Sequence, residues 1–278
     1  MTSNTQPLPQ RRFGSTELSV SPLGLGTVKL GRDKGVKYPH PFTIPDDRAA
    51  ADLIALARDL GINLIDTAPA YGRSEERLGP LLKGQREHWV ICSKVGEEFN
   101  NDNGDSHFDF SARHTRQSIE RSLDRLKTDY IDIVLIHSDG RDEYILQHEG
   151  ALTALQQCKQ EGLIRAIGMS TKTVTGGLLA AELSDAVMVS YNAAHQEESP
   201  VLDYCARHGK AAILKKALGS GHLISENDPA QAAMGFALSH PGVTSAIVGT
   251  INPQHLRENV AACLRALGKS ANLAATQL

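Results

Sequence analysis

Eight short apolar runs recur along the chain, centred near Leu25, Leu64, Val90, Val134, Ile167, Val187, Ile213 and Ile247. Most are continuous and β-branched, which is how strands buried on both faces read. Between them lie segments of helical period. Asp47 to Leu60 places Leu53, Leu56, Ala57 and Leu60 on one face, and Ser111 to Lys127 does the same with Ile119, Leu123 and Leu126. Start signals at Pro45-Asp46-Asp47, Ser111 and Pro229, and stop signals at Gly61, Gly84, Gly162 and Gly209, bracket several of them.

Strands alternating with helices, with no Gly/Ser linker or break in composition, predict an α/β chain closed into a parallel (β/α)8 TIM barrel. The chain has 278 residues, and such barrels commonly use about 250 as one unit. An open doubly wound sheet would carry a G-x-G-x-x-G turn after its first strand. Here Gly24-x-Gly26 is followed by Lys29 where the third glycine belongs. The stretch Arg12 to Val20, two short polar-apolar runs around Gly14-Ser15, predicts a β-hairpin closing the bottom of the barrel. The expected organisation is a disordered tail over residues 1–10, a single barrel domain over 11–268 and a short carboxyl tail over 269–278.

Charge points away from nucleic acid: 29 Lys plus Arg face 32 Asp plus Glu, a formal charge of -3. No run approaches the roughly 18 apolar residues of a membrane span. Met1 to Gln10 is polar, with two prolines, and lacks the regions of a signal peptide. Cys92, Cys158, Cys205 and Cys263 are scattered and form no C-x-x-C pair, so neither a zinc site nor a disulfide framework is expected. A cytoplasmic protein with a small-molecule partner, monomeric or weakly oligomeric, fits these features.

Barrel enzymes keep their catalytic groups at the carboxyl ends of strands, so the polar residue that ends each apolar run carries the information. The second run ends on Asp66 and continues into a loop holding Tyr71. The third ends on Lys94 and the fourth on His137. Neighbouring strands lie about 4.8 Å apart, so Asp66, Lys94 and His137 should converge, with Tyr71 folding over them. Alone, each has an ordinary structural explanation as a cap, a snorkelling cation, a core histidine or loop packing; together they point to a reaction centre. A free phenol has a pKa of about 10, and a nearby ammonium is expected to lower it. Asp66 would hold Lys94 charged and oriented, and His137 could hydrogen-bond a substrate oxygen. No metal-ligand cluster or nucleophile elbow is present, so an external hydride donor completes the set.

The segments Gly61-Ile62-Asn63-Leu64-Ile65-Asp66-Thr67-Ala68-x-x-Tyr71-Gly72, Ser74-Glu75-x-x-Leu78-Gly79, Ser93-Lys94-Val95, Asp132-Ile133-Val134-Leu135-Ile136-His137 and Glu258-Asn259 resemble, in order and spacing, the pattern of aldo-keto reductases. The resemblance runs from about Phe13 to Val260. It implies reversible hydride transfer between NADP(H) or NAD(H) and a carbonyl, alcohol or sugar. Tyr71 is then the general acid/base, Lys94 and Asp66 tune it, and His137 orients the carbonyl.

The same resemblance implies a cofactor surface of Thr27, Asp66, Ser170, Lys215, Lys216, Leu218, Gly219, Ser220, Gly249, Thr250, Asn252, His255, Glu258 and Asn259. It departs from the family in several places. A Ser-Asn pair that holds the carboxamide is here Ser170-Thr171. A glutamine falls on Met188, and an aromatic that stacks on nicotinamide falls on Lys215. Lys215 to Gly221 could cradle pyrophosphate, and the helix opening after Thr250 and Asn252 is a phosphate site in waiting. The basic residues of NADPH-selective members fall on Gly249 and His255, which implies relaxed or NAD-leaning selectivity.

The polar stretches 29–42 and 96–110, with Asn100, Asn101, Asn103 and His107, predict a mobile rim that selects substrate, and the short carboxyl tail predicts an open site. Two other functions remain: a non-catalytic nicotinamide-binding subunit on the same fold, and a lyase using Lys94 as a Schiff base, which borohydride trapping would reveal.

Overall fold

Phe13, Leu18 and Val20, all buried, project from a short antiparallel hairpin, β1 (Arg11–Arg12) and β2 (Ser19–Val20), in the register Arg11↔Val20 and Arg12↔Ser19. In the computed structural model, which describes residues 7–36, 38, 40–218 and 228–276, these three side chains pack with Leu64, Val90, Cys92, Ile133, Ala166 and Ile213 inside the barrel. The hairpin thus plugs the amino end, as the sequence predicts.

Every apolar run forms a barrel strand. In chain order these are β3 (Leu23–Gly26), β4 (Leu64–Asp66) and β5 (Val90–Val95), then, after an excursion through β6 (Glu97–Phe99) and β7 (Ser106–Phe108), β8 (Ile131–His137), β9 (Ile164–Ser170), β10 (Ala186–Ser190), β11 (Ala211–Lys215) and β12 (Ser245–Val248). All neighbours pair in parallel and β12 returns to β3, closing the barrel. One face of each strand fills the interior and the other packs under helices, which explains why the runs are continuously apolar.

The helices are α1 (Val28–Gly31), α2 (Asp47–Asp59), α3 (Ser74–Leu81), α4 (Ala112–Leu126), α5 (Asp142–His148), α6 (Ala151–Gln160), α7 (Val174–Leu183), α8 (Ser199–His208), α9 (Pro229–Ser239) and α10 (Pro253–Thr276). Asp46 caps α2 by accepting from the Ala49 amide, and Ser111 caps α4 by accepting from His114.

Three expectations change. Residues 96–110 are not a plain loop: β6 and β7 pair antiparallel and stand over the barrel mouth. The tail is anchored at its end, since Leu8 is buried and its amide donates to the Leu60 carbonyl at 3.0 Å. Gly61 permits this approach, with φ +85° and an added Cβ only 2.4 Å from the Leu8 nitrogen. Finally, α10 continues past Gly268 to Thr276, so helix stands where a short tail was expected.

Candidate active site

Parallel pairing sets the height of each polar strand end. Gly26 aligns with Asp66, Lys94 with Leu135, and His137 with Ser170. Asp66, Lys94 and His137 therefore meet at the carboxyl mouth of the barrel. Tyr71 arrives from the loop after β4, where Pro69 opens a single 3-10 turn ending on Tyr71. The next residue, Gly72, has φ 62° and ψ −119°, and a Cβ there would lie 2.3 Å from the Gly31 carbonyl oxygen. Only glycine fits this turn.

The four side chains form one connected group. Lys94 Nζ donates to Asp66 Oδ1 at 2.6 Å and to the Thr67 carbonyl at 2.9 Å. The Tyr71 hydroxyl donates to Asp66 Oδ2 at 3.2 Å, and Lys94 Nζ lies 4.6 Å from the centre of the phenol ring. The Tyr71 and His137 rings meet edge to face with centroids 6.4 Å apart. Glu97 on β6 adds a member that sequence reasoning missed: its Oε2 sits 2.8 Å from His137 Nδ1. Its only signal was position, three residues past Lys94 at the same barrel end.

Burial and charge shape this group. Burial disfavours an ammonium at Lys94, yet Asp66 and Tyr71 outweigh it and raise the lysine above its usual range. At Tyr71 the expected lowering does not occur. Burial, then the Asp66 carboxylate, outweigh Lys94, so the phenol is raised and keeps its proton. Burial lowers His137 against the pull of Glu97, with Lys94 and Lys215 adding to the lowering. Burial would raise Glu97, but His137, Ser106 and Arg32 bring it down to about 2.

The tetrad opens into a cavity of about 610 Å³. Among the residues expected at the cofactor, Asp66, Ser170, Lys215, Lys216, Leu218, Gly249, Thr250, His255, Glu258 and Asn259 line it. Gly219 and Ser220 lie outside the described residues. Thr27 is fully buried behind the wall, where its hydroxyl donates to the Asp66 carbonyl and accepts from Ser74. Asn252 is turned to its own helix: its Oδ1 accepts from the Gln254 amide at 2.8 Å, capping α10. Lys215 does not reach toward a pyrophosphate position; its Nζ donates to Ser170 Oγ at 2.9 Å and to the Thr171 carbonyl at 2.6 Å. Thr171 is buried with its hydroxyl toward Glu198, out of the cavity. Lys29, Tyr38 and His40 also line the rim, with Lys29 Nζ 4.2 Å from the Tyr38 ring centre.

The cavity runs from the residues of the tetrad to those at the amino end of α10. Thr250 and His255, at the amino end of α10, and Ser170, Met188 and Lys215, at the ends of β9, β10 and β11, line it together with Tyr71 and His137. Among the described residues no helix is long and apolar enough to cross a membrane.

Comparison with known proteins agrees with this architecture. The crystal structure of PA4992 from Pseudomonas aeruginosa matches with a TM-score of 0.87 and 58% identity, covering 96% of this chain and 100% of that one. L-galactose dehydrogenase of Arabidopsis thaliana is 29% identical over 295 residues, covering 91% of this chain and 87% of that protein. D-threo-aldose 1-dehydrogenase of a Pseudomonas species is 31% identical over 245 residues, covering 78% and 73% of the two chains. The sequence profile of the Aldo/keto reductase family matches residues 22–228, and the chain belongs to that family.

Proposed function

We propose that this oxidoreductase is nicotinamide-dependent, reducing small aldehydes and ketones or oxidising alcohols and sugars, with Tyr71 as the proton donor and acceptor. The observation that carries this reading is the Tyr71 hydroxyl bonded to Asp66 beside the Lys94 ammonium, at the wall of a cavity of about 610 Å³. A bound NADH or NADPH would supply the hydride.

The chain's own residues account for the proton. The raised phenol of Tyr71 holds its proton at neutral pH, the form that carbonyl reduction requires. As negative charge grows on a carbonyl oxygen, that oxygen becomes more basic than the phenolate, and the proton moves from Tyr71 Oη to it. The Lys94 ammonium then faces a phenolate whose charge it stabilises, while Asp66 keeps the ammonium in place. His137, with Glu97 against its Nδ1, has its other ring nitrogen to offer to the same oxygen. Alcohol oxidation reverses these steps.

Two sugar dehydrogenases among the relatives, and a rim carrying Lys29, Tyr38 and His40, favour small polar substrates rich in hydroxyls. With Gly249 and an exposed His255 where a fixed cation would hold a 2'-phosphate, we expect NADH and NADPH to bind within roughly a hundredfold of each other. A Schiff-base role for Lys94 is disfavoured, since its amine is held as a cation by Asp66.

Steady-state assays with NADH, NADPH and their oxidised forms, against a panel of aldehydes, ketones and sugars, test the reading. Nucleotide-dependent turnover supports it. Nucleotide binding without turnover in either direction would move the non-catalytic reading to the front.

A further inference from the structure

Lys215 ends β11, across the barrel mouth from the tetrad. The order of strands sets β4, β5 and β8 on one side of the cavity and β9, β10 and β11 on the other. Ser170, aligned with His137 across β8 and β9, stands at the height of the reaction centre, and Lys215 Nζ is bonded to it. Met188, buried and apolar, completes this wall. A ring that gives hydride to a carbonyl held at Tyr71 must lie between the two walls, while its phosphates lie out toward Thr250 and His255. Ser170, Met188 and Lys215 are then the residues that would hold such a ring.

The ammonium has three N–H groups. Two are spent on neutral acceptors, Ser170 Oγ and the Thr171 carbonyl. Among the described residues no carboxylate forms an ion pair with it. Its charge faces the cavity, and among the described residues one N–H is left for a ligand. The reduced and oxidised nucleotides share every atom outside the nicotinamide ring, but only the oxidised ring is positively charged. Resting on the nicotinamide-dependent reading above, we infer that Lys215 selects the redox state of the bound nucleotide. Its ammonium favours the neutral reduced ring over the cationic oxidised ring, biasing the site toward carbonyl reduction and release of the oxidised form.

The surroundings make the preference pH-dependent. Burial lowers Lys215 to about 8; Glu198 at the amino end of α8 and Asp142 on α5 attract its charge, while Lys216 and Lys172 repel it. His137 faces it across the cavity and feels its field. The ammonium is present below that pH and lost above it, so the oxidised nucleotide gains affinity as the pH rises.

The test is calorimetric or fluorescence titration of NADH and NAD+ against the wild type, Lys215→Met and Lys215→Arg, at about pH 7 and about pH 9.5. The quantity read is the ratio of the Kd of NAD+ to that of NADH. It should fall at least about tenfold in Lys215→Met at the lower pH, and by a similar factor in the wild type at the higher pH. Lys215→Arg should keep a high ratio at both. A ratio that stays within about threefold in Lys215→Met, with both constants moving together, would overturn the proposal and leave Lys215 a packing residue. Should Lys215→Met fail to fold, the wild-type pH comparison and Lys215→Arg decide the matter. A folded wild type that binds neither nucleotide would remove the nicotinamide reading itself, and this inference with it.

Discussion

The Glu97 carboxylate lies 2.8 Å from His137 Nδ1, a close acid–imidazole contact at the barrel mouth. Burial lowers the imidazole while Glu97 works against that lowering. Glu97→Gln should therefore lower the His137 titration further, read from its imidazole proton resonances, and reduce kcat by about ten- to a hundredfold through loss of orientation. Glu97 also has a stability signature. Its depressed carboxyl contributes stability present above the unfolded value of about 4.3 and lost as the pH falls through about 2. Across that window Glu97→Gln should lose less stability than the wild type, as measured by chemical denaturation. An unchanged imidazole titration would contradict the assigned contact.

Lys94 and Asp66 form a buried pair, with side chains 1% and 5% exposed. Removing one partner strands the other's charge, so Lys94→Met should destabilise the fold by about 3–5 kcal/mol. Adding Asp66→Asn to it should recover part of that loss in melting temperature while leaving the enzyme inactive. Additive losses in the double-mutant cycle would show that the two charges are not coupled.

Gly72→Ala should damage catalysis more than its size suggests. The new Cβ would meet the Gly31 carbonyl at 2.3 Å at a positive φ, and the strained turn carries Tyr71 as its last residue. We expect a cost of about 1–3 kcal/mol in stability and a kcat reduced by about a hundredfold. Activity close to wild type in the folded variant would mean that this turn does not position Tyr71.

The opposite end of the barrel should behave differently. Asp132, near the start of β8, is buried; its Oδ2 accepts from Arg86 at 2.7 Å and from the Ile91 amide at 3.0 Å, and Arg165 bonds its Oδ1 at 3.2 Å. Asp132→Ala should lower stability by about 3 kcal/mol and leave kcat/KM near the wild-type value, since it lies at the amino end of the barrel, away from the carboxyl ends of the strands where the reaction centre sits. A selective loss of activity would refute that separation.

Much of this architecture is legible in the sequence because barrel strands are buried on both faces. Their apolar runs are unbroken, so Asp66, Lys94 and His137 stand out at the ends. What escaped notice depended on tertiary contact. Glu97 acquires its partner only when β6 and β7 pair over the mouth. The hydroxyl of Thr27 and the amide of Asn252 satisfy their own backbone surroundings, which spacing cannot reveal. Lys215 turns inward because Ser170 and the Thr171 carbonyl offer acceptors there. The upward shift at Tyr71 reflects burial first and then Asp66; the sequence shows both charged neighbours but not the depth of burial that decides the direction. Leu8 docks because Gly61 leaves room for it.

The central claim, that Tyr71 moves the proton, is tested most directly by Tyr71→Phe, which removes one hydroxyl from a group otherwise held by Asp66, Lys94 and His137. Single-turnover reduction with pre-bound NADH or NADPH should slow by about 10²–10⁴-fold, with the Kd for nucleotide within about threefold of wild type. A variant that binds nucleotide and reduces substrate at the wild-type rate would contradict the account and require another proton donor at the site.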